Sequence, residues 1–226
     1  MQERTGARVA RGRPVRVTVA SVTAVALTVV FVGLLVVAAR PLNPLDERVT
    51  RELFEYTVAD PGVTWLLVVW TELFGPWTWR VVVLVLAVWL WRRERRGVAL
   101  WAAATIVVGG LIGWLLKVIV DRERPVLPDP VAFAPGDAFP SGHALNVTLG
   151  AGILLLLAMP HLSAGGRAAA WAGAVFLIVS VAYTRVALGV HWVSDVLGGI
   201  VLGVALLAVS VAVFESRRLA DDLITP

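Results

Sequence analysis

Long apolar runs separated by short clusters of charge are the feature that most limits how this chain can fold. Val, Leu, Ala and Trp fill these runs, and 58% of all residues are hydrophobic. A soluble domain is usually closer to half apolar and mixes its charges throughout. A run of about 20 apolar residues can cross the roughly 30 Å hydrocarbon layer as a helix. We therefore predict an all-α, polytopic membrane protein.

The runs predict six transmembrane helices in a single domain over residues 1–226. Five runs are 17–39, 98–120, 141–159, 168–186 and 192–214. The first exceeds the apolar core of a secretory signal peptide, usually about 7–15 residues, so we interpret it as an uncleaved signal anchor. The sixth, 63–91, is broken by Gly75-Pro76 and fits either one kinked crossing or two.

Arginine clusters set the predicted orientation, because short cytoplasmic segments are enriched in Lys and Arg. Residues 8–16 carry four arginines and residues 92–96 carry four more. One crossing over 63–91 puts both clusters in the cytoplasm, whereas two would separate them. We therefore expect six crossings with both termini cytoplasmic. The bias towards Ala, Val, Arg and Gly indicates a bacterial chain, hence the bacterial cell (inner) membrane.

The segment 41–62 is more polar than its neighbours. Leu45, Val49, Leu53 and Phe54 recur at near-helical spacing, opposite charged residues, which fits a short amphipathic helix in the headgroup region. A helix in a solvated loop fits equally well.

Composition also excludes several classes of function. The chain has no cysteine, which rules out disulfides, thiolate metal sites and cysteine nucleophiles. Its net charge of +4 comes from basic clusters at the ends of apolar runs. That placement reflects membrane topology, so we expect no nucleic-acid partner.

Polar residues interrupt the apolar background at three places, all predicted at the extracytoplasmic face. In chain order they are Lys117 with Arg124-Pro125, then Pro140-Ser141-Gly142-His143, then Arg185 with His191 and Asp195.

These residue types suit a phosphoryl group. Its negative charges need cationic donors, which Lys117, Arg124 and Arg185 supply. Ser141 is placed as the N-cap of a helix whose free amides face an anion, and Gly142 allows close approach to the backbone.

The histidines suit covalent catalysis. On a helix, His191 and Asp195 are four residues apart and share one face, so the carboxylate can accept the Nδ1 proton. This leaves Nε2 free as a nucleophile, while His143 is the candidate general acid. Each motif alone has an ordinary structural explanation, such as a helix cap or a span-end anchor. Their order, spacing and shared face favour the catalytic interpretation.

The three motifs together resemble the signature of the type 2 phosphatidic acid phosphatase superfamily, over residues 117–195. The resemblance implies a phosphohistidine on His191, oriented by Asp195, with His143 as acid. It implies that the remaining motif residues hold phosphate and that no metal or other cofactor takes part. Thr184 stands where the family usually has Ser. Acidic residues at 121 and 123 flank Arg122, and we expect them to pair with it.

The expected substrate is a lipid phosphate or pyrophosphate drawn from the outer leaflet, with membrane lipids as the surroundings. Undecaprenyl pyrophosphate is the first candidate, followed by phosphatidic acid, phosphatidylglycerol phosphate and lysolipid phosphates. Two alternatives remain: a small transporter whose charges line a path, and a vanadate-dependent oxidase on the same scaffold. The sequence sets neither the lipid nor the oligomeric state.

Overall fold

The computed structural model describes residues 26–28, 30–33 and 44–224, with side chains as far as residue 217. Most of the predicted first span, 17–39, lies outside the described residues, and the parts of it that are described are helical. Throughout the described part, every regular element is a helix, as predicted.

From residue 44 onwards the chain forms a succession of α-helices joined by short connections and one longer loop, 121–141. They are α1 (Pro44–Val58), α2 (Pro61–Leu73), α3 (Pro76–Arg92), α4 (Arg96–Val120), α5 (Gly142–Ala158), α6 (Ala164–Ala187) and α7 (Val193–Ile224), with a 3-10 turn, Met159–His161, after α5.

Five segments of the described residues are long and apolar enough to cross a membrane. Helices α2 and α3 together make one of them, Pro61–Arg92, interrupted where Pro76 begins α3. Proline has no N–H to donate and fits only the first turn of a helix, so the chain bends there. This agrees with a single kinked crossing. The total of six remains a prediction, because it needs the first run as well.

Helix α1 buries both polar and apolar side chains. Asp46 is buried against the protein. Of the predicted apolar residues, Leu45 and Val49 are exposed, whereas Phe54 is buried and Leu53 packs against the protein core. The predicted apolar face is therefore divided between the surface and the interior.

Helix α5 lies at the centre of the bundle, packed against α3, α4, α6 and α7. Of its apolar stretch 56% is buried, against 22% for that of α4. Leu145, Leu149 and Ile153 of α5 pack with Val83 of α3 and Ile106 of α4. The outward surfaces of the other helices carry exposed apolar side chains, as a lipid-facing surface requires.

Helix α7 lies directly against the beginning of α5. A Cβ at Gly199 would lie 2.6 Å from the Ser141 carbonyl oxygen and 3.0 Å from Ala144 Cβ. One turn earlier, the Ser141 amide donates to the Asp195 carbonyl at 3.0 Å. The absence of a side chain at Gly199 therefore lets two motif-bearing helix ends meet.

Candidate active site

His191 lies in the short connection between α6 and α7 and is almost fully buried. Its Nδ1 is 3.3 Å from Asp195 Oδ2, which also accepts from the Trp192 amide at 2.8 Å. Asp195 is in the first turn of α7, so the four-residue spacing places both groups as predicted. The carboxylate favours a proton on Nδ1 and leaves the Nε2 lone pair free.

The guanidinium of Arg124 faces the other side of the imidazole. Its Nη1 lies 3.2 Å from His191 Nε2 and donates to the Val190 carbonyl at 2.6 Å. Its remaining nitrogens donate to backbone carbonyls of residues 135–137, and Lys117 Nζ also donates to the Asp137 carbonyl. The loop 121–141 thus folds around two cations and presents them to the histidine.

Burial and the neighbouring charges change the ionisation of His191. Removal from water lowers the pKa of His191 well below its ordinary value of 6.5, and the charges of Arg124, Arg185 and Lys117 lower it further. The ring is therefore neutral at neutral pH, which is the form that can attack phosphorus.

Ser141, Gly142 and His143 form the N-terminal end of α5. Ser141 occupies the N-cap position, as predicted, but its hydroxyl makes no capping bond and meets no partner among the described residues. A Cβ added at Gly142 would have no neighbouring heavy atom within 4 Å. An open volume therefore lies before a helix N-terminus, where free amides favour an anion.

Arg185 lies near the end of α6 and is only 2% exposed. Its Nη1 donates to Thr71 Oγ1 of α2 at 3.0 Å, while its Nε, like the Ser141 hydroxyl, meets no partner in the described part of the chain. A buried polar atom without a partner costs about 1–3 kcal/mol, so both groups are available to donate to a bound anion.

His143 belongs to the same group of residues. The charges that act on its ring are those of Arg185, Arg124 and Lys117, together with the ring of His191. A Cβ at Gly75, where α2 gives way to α3, would lie 3.6 Å from His143 Nε2. The structure therefore brings all eight predicted residues to one end of the bundle, while their roles remain predictions.

The sequence analysis missed Arg122 and Asp46. The expectation that Arg122 pairs with Asp121 or Glu123 is wrong: both acids are exposed, and Arg122 is buried against two other carboxylates. It donates to Asp195 Oδ1 at 2.7 Å and to Asp46 Oδ2 at 3.0 Å. A loop arginine gives no signal of burial in sequence, and Asp46 resembles an ordinary acidic first-turn residue.

Comparisons with known proteins show which proteins this chain is similar to. The chain is 28% identical over 130 residues to an Escherichia coli protein provisionally named undecaprenyl-diphosphatase YbjG, covering 54% of this chain and 61% of that protein. The chain thus spans less than two thirds of that relative's length. It is 33% identical over 145 residues to the decaprenylphosphoryl-5-phosphoribose phosphatase of Mycobacterium tuberculosis, covering 63% of this chain and 75% of that one.

The fold matches a solved structure, the transmembrane PAP2-type phosphatidylglycerolphosphate phosphatase of Bacillus subtilis. The TM-score is 0.71 at 23% identity, with 90% of this chain and 98% of that chain covered. Residues 98–219 match the PAP2 superfamily, and this range contains all three motifs. Because the matched range is more than half of the chain, this multi-pass membrane protein belongs to the PAP2 superfamily.

Proposed function

We propose that this chain is a membrane phosphatase that hydrolyses a lipid phosphate or pyrophosphate, with His191 as the nucleophile. The observation that carries the proposal is the position of that ring. Its Nδ1 is 3.3 Å from a carboxylate oxygen, and its Nε2 is 3.2 Å from a guanidinium nitrogen that can bind the phosphate under attack. Membership of the PAP2 superfamily supports the same chemistry.

In the first step His191 Nε2 attacks phosphorus, and the bond from phosphorus to the leaving oxygen breaks. His143 gives that oxygen its proton, so an alcohol or a lower phosphate departs. The ring becomes a phosphoimidazolium whose positive charge is stabilised by Asp195. Lys117, Arg124 and Arg185 bind the phosphoryl oxygens, with the Ser141 hydroxyl and the amides of Gly142 and His143 as further donors.

In the second step water attacks the phosphohistidine. His143, now neutral, takes a proton from that water as the new bond to phosphorus forms. The bond to Nε2 breaks, inorganic phosphate leaves and His191 is restored. The step uses the same cations, because the charge on the phosphoryl oxygens is similar in both transition states.

The substrate enters from the outer leaflet of a bacterial cell membrane in this proposal. The site residues gather at one end of the bundle instead of along its length, which suits an enzyme at the membrane surface rather than a translocation path. The relatives' names include prenyl and glycerolipid phosphates. Undecaprenyl pyrophosphate remains our first candidate, with phosphatidic acid and phosphatidylglycerol phosphate next.

The test is phosphate release by the purified full chain from a panel of these lipids in detergent micelles. We expect release from at least one lipid, inhibition by vanadate, which adopts the five-coordinate geometry of phosphoryl transfer, and no loss in EDTA. A ³²P-labelled substrate should label wild-type protein but not His191→Ala. No release from any lipid, or loss in EDTA that Mg²⁺ restores, would contradict the proposal.

A further inference from the structure

A buried ionic network lies behind the nucleophile, on the Nδ1 side of the His191 ring. Arg122 is its centre, with Nη1 2.7 Å from Asp195 Oδ1 and Nη2 3.0 Å from Asp46 Oδ2. Nη1 also donates to Ser194 Oγ at 2.6 Å. Arg122, Asp46 and Asp195 are 8%, 5% and 0% exposed, so this is an interior network rather than a surface pair.

The network fixes both oxygens of the Asp195 carboxylate. Oδ2 accepts from the Trp192 amide and faces His191 Nδ1, while Oδ1 accepts from Arg122. Without a donor at Oδ1, the carboxylate could rotate away from the imidazole. Arg122 is therefore placed to hold the geometry of the histidine–aspartate pair without reaching the substrate side of His191.

Asp46 holds Arg122 from helix α1. Its Oδ1 accepts from the Ser194 amide in the first turn of α7 at 2.9 Å, and its Oδ2 accepts from Arg122 and from the Ser194 hydroxyl. Two carboxylates share one guanidinium, which leaves one net negative charge behind His191. That charge is what a phosphoimidazolium needs, and a guanidinium paired with Asp195 alone would cancel it.

We propose that Arg122 and Asp46 are positioning residues for the nucleophile. Arg122 aligns Asp195 with His191, and Asp46 anchors Arg122 while offsetting its charge. The inference rests on the proposed function, because it assumes that His191 attacks phosphorus. It also makes α1 part of the catalytic apparatus, although α1 lies outside the matched range 98–219.

The first test is steady-state kinetics on an aryl phosphate such as p-nitrophenyl phosphate. We expect Arg122→Met to lower kcat about 100-fold, the cost of a small misplacement of a reacting group, with KM little changed. Arg122→Lys keeps the charge but cannot span two carboxylates, so its kcat should lie between those of wild type and Arg122→Met. The matched control is Arg48→Met, since Arg48 is exposed and bonds Glu52 on α1. A raised KM with unchanged kcat, or no change, would overturn the proposal.

A double-mutant cycle separates positioning from a general structural role. If Arg122 acts through Asp195, adding Arg122→Met to Asp195→Asn should reduce kcat hardly further, whereas independent effects would multiply. If Arg122→Met does not give folded protein, Arg122→Met with Asp46→Asn is used in its place. That pair preserves the net buried charge but still removes the donor to Asp195 Oδ1. Multiplying effects would contradict the proposal.

The last readout does not depend on turnover. The chain has three histidines, so ¹⁵N-histidine NMR of the full protein in detergent can follow His191 after His143→Gln and His161→Gln identify the other two. We expect the Nδ1–H tautomer in wild type and a mixture of tautomers in Arg122→Met. An unchanged tautomer would refute the positioning role. If wild type releases no phosphate, the proposed function fails, and this measurement still decides whether Arg122 holds Asp195 against His191.

Discussion

The two histidines of the site have different surroundings, and these predict different roles. His191 is held between a carboxylate and a guanidinium, with its Nε2 towards Arg124. His143 is in the first turn of α5, beside the open volume at Gly142. An imidazole with a carboxylate behind it suits a nucleophile that becomes positive. One beside the phosphate site suits a proton donor.

The loss of activity on substituting each histidine should therefore depend differently on the leaving group. His191→Ala should be inactive on both a lipid phosphate and p-nitrophenyl phosphate, because the covalent route is lost. His143→Ala should lose about 10²–10⁴-fold on the lipid but recover much of its relative rate on the aryl ester, whose phenolate departs without a proton. Phosphate release from both substrates checks this. If the aryl ester restored the relative rate of His191→Ala and not that of His143→Ala, the roles of the two histidines would be reversed.

The lowered pKa of His191 gives a pH prediction with a definite sign. A base with a lowered pKa stays neutral as the pH falls, until the pH reaches that lowered value. Burial and the charge of Arg124 lower the pKa of His191 well below 6.5, so attack should persist below pH 6.5 and be lost only in more acidic solution.

The measurement is the kcat/KM of His143→Ala for p-nitrophenyl phosphate across the acidic and neutral range, corrected for titration of the substrate itself. This variant removes the second histidine from the profile. Adding Arg124→Met should move the acid limb to higher pH, because a cation beside the ring is lost. An acid limb centred at or above pH 6.5 in His143→Ala would contradict the environment described for His191.

The sequence indicated which residues gather at one end of the bundle, but not which residues hold them there. Lys117, Arg124, His143 and His191 differ from their apolar background, and their order and spacing led to the prediction of one site. The partners Asp46 and Thr71 could not be found this way, because each depends on packing between helices far apart in sequence. Similarly, Ser141 was correctly placed at a helix start, but the structure leaves its hydroxyl free of the cap.

At the scale of elements, the contact between α5 and α7 determines whether the site is assembled. Asp195 lies on one of these helices, and the amides beside the open volume lie on the other. The apolar runs predicted both helices, but they could not show that the two approach closely enough to exclude a side chain at Gly199. The helix positions were thus predictable from local pattern, whereas their separation depends on complementary small residues.

Gly199→Ala should therefore weaken both the fold and the activity. The added methyl would lie 2.6 Å from the Ser141 carbonyl oxygen, so α7 must shift away from α5. Overpacking of this kind costs about 1–3 kcal/mol. We expect a lower Tm and a fall in kcat on the aryl phosphate.

Gly173→Ala is the matched control, because Gly173 is also in a helix and a Cβ there meets nothing within 4 Å. It should leave both Tm and activity unchanged. Equal behaviour of the two alanine variants would show that the α5–α7 contact is not as close as described.

Across the whole molecule, the two ends of the bundle differ in charge. The site end carries exposed acids on α1 and on the loop 121–141, which outnumber its exposed arginines in the described part, Arg48 and Arg51 of α1. The cations Lys117, Arg124 and Arg185 there are engaged within the site. The opposite end carries exposed arginines at 92–96 and at Arg167 and Arg217. Uncommitted arginines are retained on the cytoplasmic side, so the distribution favours an extracytoplasmic site.

Single-cysteine labelling tests this orientation directly, because the chain has no cysteine of its own. Val126 lies on the loop at the site end and is 91% exposed, and Gly165 lies at the other end, exposed in the first turn of α6. The helix between them, α5, has 17 residues and spans about 25 Å at 1.5 Å per residue, so we expect the two positions on opposite sides of a bilayer. Val126→Cys should react with a membrane-impermeant maleimide in intact cells, whereas Gly165→Cys should react only after permeabilisation.

Each variant must first retain phosphatase activity, so that labelling reports on folded protein. Labelling of Gly165→Cys alone in intact cells would place the site in the cytoplasm and reverse the leaflet from which the substrate is drawn.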